Sequence, residues 1–420
     1  MAHDHDHDTT DLAPLEGSRL GRRLRLAGGV LLALAAIGLV VLWPRGDAPD
    51  LGEPGFREVD AMVLDVRPTT CPGLDVPGDV TCRLVEVRVT SGPDDGSFGS
   101  FAVRDIDPEV PDLEADDEVV LRDAVDAPEE FRYSYSDFQR APPLLLLGLV
   151  FVVVVVVFGR LQGVRALLGL AASLLLLVTF LVPALLRGEP VLPVALVAGV
   201  VITGLALYLA HGFSTATSVA FLGTLAALVL VTILALLVVG AADLTGLAQT
   251  EAQTLTITAE GLDLRGLLIA GIVIGVLGSL DDVTITQVSA VAALRRADPS
   301  LGPVELYREA IRIGRDHVAS SVNTLVLAYA GASLPLLLFF AQSSRDASRV
   351  ITGEVVAVEI VRMLVGSIGL VAAVPLTTVV AAWALTRETA GMATAPEATP
   401  ARREGRPLDW DDFGPADDLA

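Results

Sequence analysis

Two adjacent carboxylates, Asp281 and Asp282, stand in the stretch GVLGSLDDVTITQ, Gly275 to Gln287, within a run that is otherwise apolar from Leu267 to Leu294. Charges in such a run are expensive, and helical bundles that keep them put them to use. Two neighbouring carboxylates in a low-dielectric setting do not ionise together easily, which suits a proton relay. Placed instead at a solvated helix end, the same pair would be only a cap. Thr284, Thr286 and Gln287 carry the polar character past the pair, and Asn323 and Thr324, in ASSVNTLVLAYAGASLP, are candidates to line the same path. Those seven residues form the expected relay and transport set.

Other groups offer smaller roles. Glu359 and Arg362, three apart, can pair on one helix face as a structural lock or a gate. His317 titrates near neutrality just before the ASSVNTL run, and Thr377 and Thr378 follow Pro375, where hydroxyls can satisfy carbonyls freed by a kink. No GxSxG, HExxH, Walker A or strand-borne GxGxxG motif is present. Neither an enzyme nor a cofactor is expected. His3, His5 and His7 alternate with Asp4, Asp6 and Asp8, which is zinc or nickel chemistry. An unstructured tail must bear the ordering entropy before it binds, so these three are weak candidates and no defined metal site is expected. Cys71 and Cys82 read as a disulfide of an oxidising compartment, stabilising their domain by about 3 kcal/mol in the chain-entropy model.

The elements that must position these groups are mostly membrane helices. The chain is 52% hydrophobic, with mean hydropathy +0.61 over 420 residues. Several apolar runs exceed the roughly 18 residues that cross a bilayer core. The expected fold is mainly α: a polytopic transmembrane bundle of about eight spans, with a small extracytoplasmic β-barrel-like, OB-like domain between spans one and two. The expected spans are 26–43, 142–158, 163–186, 190–210, 217–240, one beginning after Arg265, 318–341 and 361–385. The domains follow as a disordered tail over 1–18, a first helix over 19–43, the β domain over 44–140, a seven-helix domain over 141–387 and a disordered acidic tail over 388–420. Alternating runs such as CRLVEVRVTS and DDEVVLRDAV, broken by Pro, Gly and Asp, supply the strands.

Arginine placement orients the spans. Arg19 to Arg25, Arg160, Arg165, Arg295, Arg296, Arg308, Arg312, Arg315 and Arg387 fall on one side, with Arg187, Arg345 and Arg349 as exceptions. The bias puts both termini in the cytoplasm. The net charge of -22 argues against nucleic-acid partners. The lipid bilayer and a small solute or ion remain as partners, and a homo-oligomer stays open.

Depth decides between relay and cap. A span stopping at Asp281 would have only about 16 residues, short for a crossing. A helix from Arg265 to Arg295 would be about 45 Å long, with the pair near its middle. The second geometry is favoured, with Gly271, Gly275 and Gly278 forming a small-residue face for close helix packing. A polar cavity at mid-membrane, bounded by spans six, seven and eight, would support transport; a carboxylate splayed into cytoplasmic solvent would not.

The segments LDLRGLLIAGIVIGVLGSLDDVTITQVSAVAAL, GRDHVASSVNTLVLAYAGASLPLLLFF and EIVRMLVGSIGLVAAVPLTT resemble the YibE/F family of bacterial membrane proteins, and YSYSDFQR before span two is similar to it as well. The resemblance covers spans two to eight and extends to the outer domain. It implies a permease-like protein of the bacterial cell membrane. A weaker likeness, carried by the Gly-rich helix with its Asp pair and by GRDHVASSVNTL, is to RND and SecD/SecF-type permeases. In those, acidic residues in mid-span relay protons, which implies that role for Asp281 and Asp282. This chain departs from them in its eight expected spans and its smaller outer domain. The function expected is a secondary transporter or permease with proton coupling; the alternative is a membrane scaffold or envelope-assembly factor working through the outer domain.

Overall fold

The computed structural model describes residues 18–45, 55–70, 81–104, 111–248, 250–258, 261–342 and 346–392. His3, His5, His7 and Cys71 lie outside them. Cys82 is disulfide-bonded, and Cys71 is the only other cysteine of the sequence.

The first helix, α1 (Arg19–Val41), begins where Ser18 accepts a hydrogen bond from Gly21 N at 2.8 Å. It leads to five antiparallel strands, β1 (Arg57–Thr70), β2 (Thr81–Val89), β3 (Phe98–Arg104), β4 (Glu118–Asp123) and β5 (Tyr133–Phe138), in the order β3-β2-β1-β4-β5. A register shift between Val63 and Asp65 bends the long β1, which pairs with β4 over its first half and with β2 over the rest. The sheet curls until Gly99 of β3 lies against the Tyr133 ring of β5, where a Cβ would come within 2.6 Å. The result is a half-barrel, an open version of the small barrel expected from the sequence. Period-two alternation fills its inner face with Val59, Ala61, Val63, Val85, Val87, Val119 and Leu121.

The next inward position of β4 is Asp123. Its side chain is 1% exposed and accepts from Arg132 Nε at 2.7 Å and Arg57 Nη2 at 2.9 Å. The hydrogen bond from Arg132, and then that from Arg57, hold its carboxyl below the usual range even though burial opposes this. Asp94 pairs with Arg132 as well. Gln139 ties the sheet to the helices, donating to Asp60 Oδ1 at 2.6 Å and accepting from Ala141 N at 3.0 Å.

Helices make up the rest: α2 (Ala141–Leu176), a π turn Leu177–Leu181, α3 (Val182–Leu186), α4 (Val191–His211), α5 (Thr215–Ala241), α6 (Thr250–Thr258), α7 (Leu264–Ala297), α8 (Pro303–Ala332), α9 (Leu334–Ala341), α10 (Ala347–Thr352) and α11 (Glu354–Met392). Six are long and apolar enough to cross a bilayer, counting α2 and α3 as one length, or seven if α8 and α9, bent by 61°, form one span. Arg160, at φ 48° and ψ -131°, breaks α2 at the turn expected between spans two and three. The chain reverses so tightly there that a Cβ on Gly163 would strike the Val155 carbonyl.

The centre of the bundle is α5, α7 and α11, with α4 and α8 packed around them. Asp263 caps α7 by accepting from Gly266 N at 2.9 Å, and Ser214 caps α5 by accepting from Thr217 N at 3.0 Å. Three boundaries differ from expectation. Arg308, Arg312 and Arg315 sit in α8 rather than in a loop, because Leu306, Ala310, Gly314 and Val318 form a buried i,i+4 stripe that carries the helix into its apolar half. The helix α11 continues past 388 to Met392, and the loop 241–263 holds α6.

Candidate functional site

Consecutive residues of an α-helix point about 100° apart, so α7 cannot bury both carboxylates. Asp281 is 9% exposed, whereas the Asp282 side chain is 70% exposed. The expectation of a buried pair is corrected to one buried carboxyl and one open one.

Asp281 lies half-way along the 34 residues of α7. Thr203 of α4 and Thr224 of α5 face its carboxyl. Thr224 Oγ1 is 2.8 Å from Thr284 Oγ1, and Thr284 donates to the Asp281 carbonyl at 3.1 Å. Thr224 is two and a half turns into α5, about 13 Å from its start at 1.5 Å per residue, so the cluster sits within the apolar length. Asp281 Oδ1 and Thr203 Oγ1 are both buried without a hydrogen-bond partner. Buried polar atoms are rarely left so.

A cavity of about 580 Å³ opens beside this carboxyl, between the second limb of α2, α4 and α7. Its wall is largely aliphatic, with Leu170, Ile202, Leu207 and Leu277; Asp281, Asp282, His211 and Thr286 bring polar atoms to it. His211 lies within electrostatic reach of Asp282, and His317 Nε2 is 3.9 Å from Asp282 Oδ2. Two imidazoles thus flank the exposed carboxylate.

The cavity's walls are not the expected ones. Of spans six, seven and eight only α7 contributes, because α8 and α11 pack on its other side through Gln287. That buried amide donates from Nε2 to the Ala310 carbonyl at 2.9 Å and to Thr378 Oγ1 at 2.8 Å. Thr378 in turn donates to the Val374 carbonyl at 2.6 Å. Gly314 makes room, since a Cβ there would lie 2.6 Å from Gln287 Oε1. Gln287 is placed as a three-helix clamp. Thr377 is buried against Gly223.

Asn323 and Thr324 are exposed on the outward side of α8, where Thr324 donates to the Ser320 carbonyl at 3.0 Å. They do not meet the cavity. The glycine face of α7 is likewise open: a Cβ on Gly271 or Gly278 would have nothing within 4 Å, and one on Gly275 only the Tyr329 hydroxyl at 3.2 Å. Glu359 and Arg362 do pair, at 2.9 Å, but both belong to α11, and beside Tyr329 and Leu337 Glu359 lines a separate pocket of about 130 Å³. The pair joins no second helix.

Sequence reasoning missed Thr203, Thr224 and His211. The threonines carry no signal among apolar neighbours, since a lone hydroxyl in a helix can bond its own i−4 carbonyl, as Thr224 does with Ala220 at 3.2 Å. His211 had one: it closes an apolar helix just before Gly212.

A family model described as YibE/F-like protein matches residues 147–387. The chain belongs to the YibE/F-like family. The match takes in every helix that builds the Asp281 cavity, and it leaves the half-barrel and the YSYSDFQR strand of this YibE/F-like protein outside. The apolar helices and the family together make it a multi-helix membrane protein. Neither a search of curated proteins nor one of solved structures finds a match, and the likeness to RND and SecD/SecF-type permeases gains no support from them.

Proposed function

We propose that this YibE/F-like protein is a secondary transporter of the bacterial cell membrane, coupled to protons through Asp281. It crosses the membrane eight times with both termini in the cytoplasm, the end that collects Arg160, Arg165, Arg295, Arg296 and Arg308. The observation that carries the reading is one buried carboxyl, half-way along an apolar helix and at the edge of a cavity, faced by the threonines Thr203 and Thr224 and by no arginine on the cavity wall. A structural carboxylate would be paired with a cation, as this one is not. Asp282 lies beside it on the same cavity wall, with His211 and His317 near that second carboxylate. No bond-making step and no cofactor is required.

The test is flux. Reconstituted in liposomes with an internal pH-sensitive dye, the wild-type chain moves protons when a solute gradient is imposed. Asp281→Asn abolishes the signal, and Asp282→Asn slows it by about a hundredfold, as loss of a proton-transfer group does at the low end of its range. Flux retained in both variants ends the proton-relay reading.

The second reading, a scaffold or envelope-assembly factor, is favoured by the open half-barrel. Between its edges lies a polar cavity of about 480 Å³, rimmed by Phe98, which is 75% exposed. Deleting residues 55–138 while keeping flux would separate the two.

A further inference from the structure

We infer that the solute taken by the cavity beside Asp281 is a small organic cation, an ammonium group carried on an apolar body. The inference rests on the transporter reading of that cavity and adds the class of its substrate.

Charge is the first ground. The acids on the wall are Asp281 and Asp282, and no arginine lines it, although the chain has 29 basic residues. Arg165, between the lining residues Gln162 and Ala166, is exposed and is not part of the wall. His211 is the one wall group that can become cationic, and it lies by the exposed carboxylate rather than the buried one. An anionic solute would meet two carboxylates with no guanidinium to hold it.

The second ground is the buried carboxyl itself. Asp281 is nine-tenths buried, and the groups that face it, Thr203 and Thr224, are neutral hydroxyls. A cation in the cavity supplies the charge they lack: an ammonium N–H donates to the edge of the carboxyl that lines the cavity, and a quaternary nitrogen, which has no N–H, acts through charge alone.

The third is the rest of the wall. Leu170, Ile202, Leu207 and Leu277 make much of it hydrocarbon, and its neutral oxygens, on Gln162, Ser173, Thr286 and Ser289, are divided between the second limb of α2 and α7. Among the described residues no group of three or more His, Cys, Asp and Glu is placed to hold a metal. A largely aliphatic wall with two acids suits a cation that is mostly hydrocarbon, and about 580 Å³ falls among ordinary small-molecule sites.

Three probes of one shape separate charge from size: choline, its neutral isostere 3,3-dimethylbutanol, and the anion 3,3-dimethylbutyrate. Each is titrated calorimetrically into the full-length protein in lipid nanodiscs. Choline binds at least about tenfold more tightly than the alcohol, and the carboxylate weakest. Asp281→Asn removes the preference for choline. Gly278→Leu, which adds bulk where nothing lies within 4 Å, blocks binding without touching the acid and covers the case where Asp281→Asn fails to fold. Equal affinity for choline and the alcohol, tighter binding of the carboxylate, unchanged choline affinity in both variants, or binding of none of the three overturns the inference. Proton flux that depends on Asp281 without a choline preference sinks the cation and leaves the transporter. The reverse result sinks the proton coupling alone.

Discussion

Among the described residues two aspartates are buried, and their surroundings are opposite. In the half-barrel, Asp123 lies on the inner face of β4 with both oxygens engaged by Arg132 and Arg57. In the bundle, Asp281 lies on the inner face of α7 with one oxygen unpartnered and a cavity beside it. A buried charge is tolerated when other charges and donors satisfy it. Asp123 meets that condition and is structural. Asp281 has only the hydroxyls of Thr203 and Thr224 facing it, and it is this lack of a charged partner that the proposed function uses.

The contrast can be broken by substitution. Asp123→Ala leaves Arg132 and Arg57 without their carboxylate and costs about 3 kcal/mol, reduced from the usual penalty because both arginines are partly exposed. Hydrogen exchange of β4 in the full-length protein reads the loss. Because the folded carboxyl is held below its ordinary range, its contribution is complete above about pH 4 and is lost as pH falls further. In wild type, the protection of β4, taken relative to the intrinsic exchange rate at each pH, therefore falls on acidification. In Asp123→Asn that step is missing, and an unchanged step would show that the two arginines do not hold the strand.

Within the bundle the next largest effect belongs to Gln287. Gln287→Leu removes two hydrogen bonds that join α7 to α8 and α11, and it costs about 1.5 kcal/mol in denaturant titrations in detergent. Asp281→Leu goes the other way. It removes an unpartnered polar group and raises stability by about 1 kcal/mol while abolishing flux. A destabilised Asp281→Leu would mean that the carboxyl has a structural partner after all.

Two outward faces sharpen the picture. The first limb of α2 exposes Leu144 to Leu147 and Phe151 to Val154, side chains that suit hydrocarbon. The outward side of α8 exposes Ala319, Ser320, Asn323, Thr324 and Gly331, and neighbouring α7 exposes Gly278, Asp282 and Thr286. Lipid offers no hydrogen bonds to such groups, which makes this face the one to test for contact with water or with a second copy of the chain. The smallest predicted effect lies here: Asn323→Leu changes monomer stability by less than about 0.5 kcal/mol. A shift in oligomeric state on size exclusion would assign that face to a second copy.

Much of this was legible in the sequence, for physical reasons. Hydropathy places long helices because a bilayer leaves the backbone few alternatives, and the turn at Arg160 was marked by the charge itself. The half-barrel followed from alternation of two. At the site, the depth of Asp281 was readable from the length between Arg265 and Arg295. The division of the pair was also readable, since adjacent helical residues cannot share a face, yet a charged pair invites treatment as one unit. What could not be read was which helices meet. Gln287, Asn323 and Thr324 look alike as polar residues in apolar runs, and only packing turns one into a clamp and leaves the others outside. Thr203 and Thr224 gained meaning only when α4 and α5 brought them to the same carboxyl.

In the proposed function, solute and protons pass the cavity beside Asp281. The most direct measurement places a cysteine at Gly278, on the cavity wall, in proteoliposomes carrying the pH dye, and adds a water-soluble thiol reagent. The account predicts full labelling and an immediate stop in flux, with Val153→Cys on the α2 face neither labelled nor affected. Complete labelling at 278 with flux unchanged would contradict it.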